Sequence, residues 1–262
     1  MKVCMVNSFF PPWRGGAETY TYNLARQLVT RGHDVHVVCA SPPRRPGRYE
    51  VQGIKLDCLP VNGWLYGTPI VTGLPLRLLQ VKADIIHAGF PSPYNAFSTF
   101  IASRFRGIPS ALTWHNDLPS LTAVARILTD AHDRLVLPAY IRAFGCIIST
   151  SETYAKSSRI LRKHLGKVSV IPNGVDCKRF NPDLDASSLK EKLNLAGRGV
   201  VLFVGALSKW HRYKGLDDLI SAFALVSRVR RDIALVVVGD GVLKPFYQEL
   251  TSKLKLEQSV IF

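Results

Sequence analysis

The chain has 262 residues, 47% of them hydrophobic, with 34 Lys and Arg against 19 Asp and Glu, a formal charge of +15. This composition excludes a disordered chain and leaves room for one large domain or two small ones. Cys4, Cys39, Cys58, Cys146 and Cys177 are odd in number, scattered and without CxxC spacing, which argues against a disulfide framework or a zinc site and for a reducing compartment, with no metal expected.

No apolar run approaches the ~18 residues of a spanning helix, and Met1-Lys2 leads straight into strand-like sequence without a leader pattern. The cytosol fits, and any membrane contact is expected to be peripheral. Most of the excess charge lies in residues 1–172, so anionic partners are expected mainly there; nucleic acid, acidic headgroups and lipid-linked phosphates all qualify.

Lys2 to Phe10 reads as a central first strand, broken by Pro11-Pro12-Trp13-Arg14-Gly15-Gly16, and Ala17 to Arg31 as an amphipathic helix. Gly15 and Gly16 let backbone N–H groups approach a ligand at the helix N-terminus, or serve only the turn. Arg14 is a surface cation within reach of an acceptor phosphate. Val35 to Ala40 is a second buried strand, flanked by His33 and His36, and Ser41 to Arg48 an exposed basic loop. Gln52 to Pro60 is a further strand. Val61 to Gly73 is a loop whose Trp64, Leu65 and Tyr66 line an acceptor groove or plug the domain.

Pro75 to Val81 is a short helix, Asp84 to Phe90 a strand, Tyr94 to Arg106 a helix closed by Gly107, and Pro109 to Trp114 a strand. The last delivers His115-Asn116-Asp117 at its carboxyl end, where ligands bind in open α/β sheets. Leu118 to Phe144 is helical with mixed basic and apolar residues, divided or kinked at Pro138. Cys146 to Ser151 is a strand, Ser151-Glu152 caps the next helix, and Val168 to Pro172 is the last strand of the first domain.

Asn173-Gly174 and Asn181-Pro182 read as a linker, and Ala186 to Leu195 as a short helix. Val200 to Val204 is expected to be a strand buried on both faces. Gly205 ends it, a loop with Lys209, His211 and Arg212 follows, and Lys214-Gly215 opens a helix with Leu216, Leu219, Ile220 and Phe223 at helical spacing. A basic loop at this junction suits a phosphate, or is a solvated connector. Ile233 to Val238 is another buried strand ending in Gly239-Asp240-Gly241, followed by a helix from Leu243 to Leu254 and a strand from Ser259.

Several of these stretches resemble glycosyltransferase family 4, retaining enzymes with two facing Rossmann-like domains, the GT-B fold. The matching residues are Pro11 to Glu18, Thr113 to Asp117, Asn173 to Asp176 with Phe180 and Pro182, Phe203 to Gly205, and Lys214 to Ile220. The fold class implied is α/β: an acceptor-side domain over 1–172 and the first part of a nucleotide-sugar domain over 173–262.

The resemblance implies that Lys214 grips the donor diphosphate and that Gly16, after Gly15, lies beside the donor phosphate. It places Glu18 near the interdomain cleft, Gly239 and Gly241 close to the nucleotide, and His115 on the transferred sugar, often with an aspartate such as Asp117 shortly after. Where many members carry an arginine after the glycine-led turn, this chain has Ala206, so a second cation falls to Lys209, His211 or Arg212, or is absent. No cofactor or metal is implied beyond the nucleoside-diphosphate sugar as co-substrate.

The family continues into a Glu-x7-Glu segment; Glu249 and Glu257 have that spacing but not the surroundings, so the chain is expected to be C-terminally truncated and poorly active as it stands. The activity implied is hexosyl transfer to a saccharide or lipid-linked acceptor. The alternatives are another GT-B enzyme such as a sugar-nucleotide epimerase, or a non-catalytic basic module on nucleic acid or anionic membrane. No RNP-type aromatics or recognition-helix signature supports specific nucleic-acid binding.

Overall fold

The computed structural model describes the chain apart from residues 14, 66–67 and 119–122 and the side chains of residues 65 and 123–125. The expectations for Arg14 and Tyr66, for the first turn of the helix read from Leu118, and for the Leu65 and Val124 side chains lie outside the described residues. Contacts divide the chain into two units, Met1–Val175 and Asp176–Phe262.

The first unit opens with β1 (Lys2–Val6), α1 (Gly16–Thr30), β2 (Asp34–Ala40), β3 (Gly47–Val51) and β4 (Ile54–Leu59). A separate hairpin of β5 (Gly63–Leu65) and β6 (Thr68–Ile70) leads to α2 (Leu74–Gln80), β7 (Ile85–Phe90), α3 (Pro93–Arg106) and β8 (Ser110–Trp114). Then come α4 (Ala123–Leu135), α5 (Leu137–Ala143), β9 (Cys146–Ser149), α6 (Glu152–Ser157) and β10 (Val168–Val170). One sheet runs β3-β4-β2-β1-β7-β8-β9-β10, parallel throughout except that β3 pairs antiparallel with β4. The chain builds outward from β1 to β4, returns to pair β7 with β1, and builds the other way. That reversal leaves a crevice beyond the carboxyl ends of β1 and β7.

Both sheet faces are covered. Cys4, Val6, Val38, Ile86, Leu112 and Trp114 belong to one core with α2, α3 and α5, while Val3, Met5, Val35, Val37 and Leu56 pack on the other side with α1. Helix ends follow local chemistry. Ser92 caps α3 by accepting from Asn95 N at 3.4 Å, and Gly107 ends it in the left-handed region at φ 64°. Ser151 caps α6 by accepting from Tyr154 N at 3.1 Å, and Pro138 lies in the first turn of α5, where a missing N–H costs nothing, so the expected division falls at Val136.

In this unit three expectations need correction. The first strand ends at Val6, not Phe10; Phe9 and Phe10 are buried because they leave the sheet and plug opposite cores. The basic loop ends in β3, joined to β4 by a two-residue turn in which Gln52 (φ 52°) and Gly53 (φ 77°) both have positive φ, the geometry that suits strand twist. Val61 to Gly73 contains the β5–β6 hairpin, in which Trp64 is 54% exposed.

The second unit contains α7 (Ser187–Lys192), β11 (Gly199–Val204), a 3₁₀ turn over Lys209–Lys214, α8 (Leu216–Ser227), β12 (Ile233–Val238), α9 (Lys244–Lys253) and β13 (Val260–Ile261). Its parallel sheet runs β11-β12-β13. Leu216, Ile220 and Phe223 of α8 and Tyr247 of α9 pack against Leu235 and Val237. The expectation that β11 is buried on both faces is overturned: it is an edge strand, with Leu202 59% and Val204 63% exposed. Its apolar sequence suits a central strand, yet among the described residues it pairs only with β12.

Leu78 on α2 is fully buried, whereas Leu76 of the same helix is 65% exposed. Leu78→Ala is expected to cost about 2–5 kcal/mol and Leu76→Ala no more than about 0.5 kcal/mol. Urea unfolding of the two variants followed by circular dichroism checks this contrast.

Candidate active site

At the crevice of the first unit, Asn7 follows β1 directly. Its Nδ2 donates to Ala17 O at 3.2 Å and Thr21 Oγ1 at 2.9 Å, and its Oδ1 accepts from Ser8 N at 2.9 Å. These bonds tie the end of β1 to the start of α1. Gly15 is the N-cap of α1, in extended conformation, and Gly16 opens the helix with no atom within 4 Å of where a Cβ would stand. The Glu18 carboxylate folds back against Gly15, where any Cβ would overlap it. Glu18 is buried, and burial raises its carboxyl above the ordinary range despite its place in the first helical turn.

His115 leaves the end of β8, with its N–H donating to Phe90 O at 3.1 Å. Gly89 keeps space open beside it: a Cβ there would lie 3.8 Å from His115 Nε2 and 3.9 Å from Asn7 Oδ1. The His115 ring meets Tyr20 of α1 edge-on, with centroids 4.9 Å apart and planes at 79°. Tyr20 OH lies 3.2 Å from Thr113 Oγ1, which lies 2.7 Å from His87 Nε2. Burial lowers the pKa of His115 and, with the neighbouring His115, that of His87 to about 4. At neutral pH both rings are uncharged, and a neutral imidazole orients a hydroxyl without imposing a charge.

Asp117 has a different environment from His115. Its Oδ1 accepts from Trp114 Nε1 at 2.9 Å and Ser158 Oγ at 2.7 Å, and its Oδ2 from Arg159 N at 3.2 Å. That carboxylate braces the loop after β8 against the turn after α6. Asn7, Tyr20 and His87 were missed by sequence reasoning, and Thr113 entered only as the first residue of the Thr113 to Asp117 motif. Asn7 alone left a signal, a polar side chain at the carboxyl end of the first strand; Tyr20 and His87 become neighbours only when α1 lies on the sheet.

In the second unit the loop after β11 turns back on itself. A Cβ at Gly205 would lie 3.1 Å from Lys214 Cδ and 3.2 Å from Lys214 Nζ, so the absent side chain makes room for the lysine. Gly215 follows at φ 69° and caps α8. A side chain at Gly239 would run into Gly205 O, and one at Gly241 into Leu207 O, so both glycines allow the loops after β11 and β12 to touch.

The three cations weighed for a second role now separate. Arg212 donates to Asp217 Oδ2 through Nε at 3.0 Å and Nη2 at 2.9 Å. His211 Nδ1 is engaged with Ser208 Oγ at 2.8 Å, and burial and Lys214 lower its pKa. Lys209 is exposed at the start of the 3₁₀ turn. Lys209 opens and Lys214 closes the 3₁₀ turn that leads into the N-terminus of α8.

The depressed histidines set a stability trend. Their folded pKa values lie below the unfolded value, so between the two the unfolded state binds more protons and stability falls as pH falls. His87 spans roughly 6.5 to about 4, equivalent to about 3 kcal/mol at 1.36 kcal/mol per unit. Denaturant titrations are expected to show stability dropping through that window, with a flatter profile in His87→Asn.

Comparison with known proteins identifies the family and the fold. Residues 14–179 match the model of glycosyltransferase family 4, and residues 185–262 that of glycosyl transferases group 1. A phosphatidylinositol N-acetylglucosaminyltransferase subunit of Homo sapiens is 27% identical over 99% of this chain and 52% of its own. The alpha-monoglucosyldiacylglycerol synthase of Acholeplasma laidlawii is 24% identical over 99% of this chain and 68% of its own. The chain thus spans about half to two thirds of the length of these relatives. The crystal structure of Anabaena HepE with UDP and glucose aligns with a TM-score of 0.70 at 20% identity, covering 100% of this chain and 68% of that one. That likeness establishes an α/β fold of the GT-B type. With its model matching most of the sequence, the chain belongs to glycosyltransferase family 4.

Proposed function

We propose that the protein is a retaining hexosyltransferase that moves a sugar from a nucleoside-diphosphate donor to a saccharide or lipid-linked acceptor. The observation that carries this reading is Lys214 folded over Gly205 at the head of α8, a cation held where aligned N–H groups point. Negative charge builds on the diphosphate as the glycosidic bond breaks, and preorganised cations and N–H donors stabilise it. Lys214 supplies the first cation and Lys209 the second, since Arg212 is committed to Asp217. In the first unit the open side of Gly16 admits a phosphate, and neutral His115 holds a sugar hydroxyl. In this reading residues 1–172 form the acceptor side, residues 173–262 carry the nucleotide sugar, and Gly239 and Gly241 shape the donor loop. The bound UDP and glucose of HepE support a nucleotide-sugar donor.

The test is equilibrium binding of UDP- and GDP-hexoses to this chain and to Lys214→Ala. At least a tenfold loss of affinity, about 1.4 kcal/mol, is expected. Unchanged affinity in the variant overturns the assignment. Transfer of labelled sugar to an acceptor, rather than its isomerisation on the nucleotide, separates this reading from an epimerase.

The lipid-named relatives and the surface of α4 support an acceptor at a membrane. Ile127 and Leu135 are 68% and 79% exposed on α4, beside Arg126 and Arg134. Such a basic-apolar face suits peripheral contact with anionic lipid, and among the described residues no helix is long and apolar enough to cross a membrane. Cys4, Cys39 and Cys58 are buried thiols rather than disulfides, which fits a cytosolic location at the inner face. Ile127→Asp with Leu135→Asp is expected to abolish flotation with phosphatidylglycerol vesicles while leaving nucleotide-sugar binding unchanged.

A further inference from the structure

A second charged cavity lies at the opposite end of the first sheet. α2 is only seven residues long, so the amino ends of β1, β2 and β4 on its side are left uncovered by helix. Polar side chains fill that corner around an open cleft of about 350 Å³, within the range of small-molecule sites. Three of its lining residues share one buried carboxylate: Asp57, 3% exposed, accepts from Arg77 and lies 3.0 Å from His36 Nε2 and 3.5 Å from Arg48 Nε.

The charge on the walls is not balanced. Lys2, Arg48, Lys55, Arg77 and Lys82 line the cleft, and among the described residues Asp34 is the one carboxylate that lines it with them, Asp57 lying buried behind Arg77. Asp57 is shared between two arginines, and Asp34 binds Lys55 at 2.8 Å. The Lys2 and Lys82 side chains therefore add charge that Asp34 and the buried Asp57 do not match. Cations around one concavity repel each other and focus a positive potential into it, a cost that a bound anion removes. Arg77, its guanidinium fixed by Asp57, presents a preorganised donor plane rather than a loose side chain.

We infer that this cleft is a binding site for a compact phosphate-bearing anion, separate from the loops of the proposed transfer reaction. It lies at the amino ends of the strands, whereas His115 and Gly16 lie at the carboxyl ends. The ligand is a multiply charged phosphate group, free or on a lipid headgroup. A bound anion at this corner stabilises the β2–β4 edge and acts as an effector rather than a substrate.

The test uses the whole chain carrying Lys214→Ala, so that a diphosphate seated in the donor loop does not contribute, and inorganic diphosphate as probe. Saturable one-to-one binding by calorimetry is expected, weakened at least tenfold by adding Arg48→Ala and Lys82→Ala. Both side chains are exposed, so their truncation leaves the fold intact. Equal affinity with and without those substitutions, or heat that never saturates and is matched by sulfate at equal ionic strength, overturns the site. Vesicles of phosphatidic acid, whose phosphomonoester can carry a second negative charge, distinguish the sources when the chain also carries Ile127→Asp and Leu135→Asp: retention that diphosphate competes away, and that the two cleft substitutions abolish, assigns the anion to a headgroup. Binding of diphosphate alone assigns it to a soluble phosphate. If nucleotide-sugar binding proves independent of Lys214 while the cleft still takes diphosphate, the donor reading fails and this one stands.

Discussion

The pairing of β1 with β7 is the constraint on which the first unit depends. Val3 to Val6 of β1 lie in register with Ile85 to Ala88, while the other edge of β1 pairs with β2. Because the chain departs from β1 in one direction and returns to its other side, neither loop after these strands crosses the space beyond them. Asn7, the α1 N-terminus and the loops after β7 and β8 then converge there without any sequence motif specifying their distances. The sheet's twist and two-sided burial hold those loop origins rigid, which a site of preorganised donors needs.

A buried polar chain stiffens the same place. Thr113 sits between Tyr20 and His87 in a region that excludes water, so each hydroxyl and ring nitrogen must find a partner inside the protein. Losing one member would leave the others unpaired, which costs more than the bond itself contributes. The arrangement links α1 to β7 and β8 and presents His115 against the Tyr20 ring. Asp117 does comparable work on the far side of the loop, anchoring it to Ser158 and Arg159. The histidine and the aspartate, two residues apart in the motif, thus have different mechanical roles.

The second unit shows the same logic with one edge open. β12 is nearly fully buried between α8, α9 and the Leu195 cluster, whereas β11 shows apolar side chains at the sheet's edge. An apolar parallel strand normally lies between two others, because its residues have no polar face to give to water. The glycines at 205, 239 and 241 are explained without a ligand: the last two let two loops touch, and the first makes room for Lys214. Lys214 lies beside Gly205 at the strand end, so a packing requirement and the proposed binding geometry share residues.

Much was written locally. Alternation and apolar runs placed β1, β2, β7, β8 and β12; Ser92, Gly107, Ser151 and Pro138 set helix limits through their own hydrogen-bonding and steric limits, and the motif residues carried the family. Phe9 and Phe10 misled because burial, not strand pairing, explains their hydrophobicity; β3 was hidden because an exposed edge strand needs no apolar pattern. Distance in three dimensions was beyond local reading: Tyr20 against His115, Arg77 taken by Asp57, and the charged cleft shared by β1, β2, β4 and α2. The sequence alone determined the elements and the family, since period, caps and motifs are properties of neighbouring residues. Only the tertiary structure decided which polar groups meet across the sheet, since those partnerships and their burial depend on segments tens of residues apart.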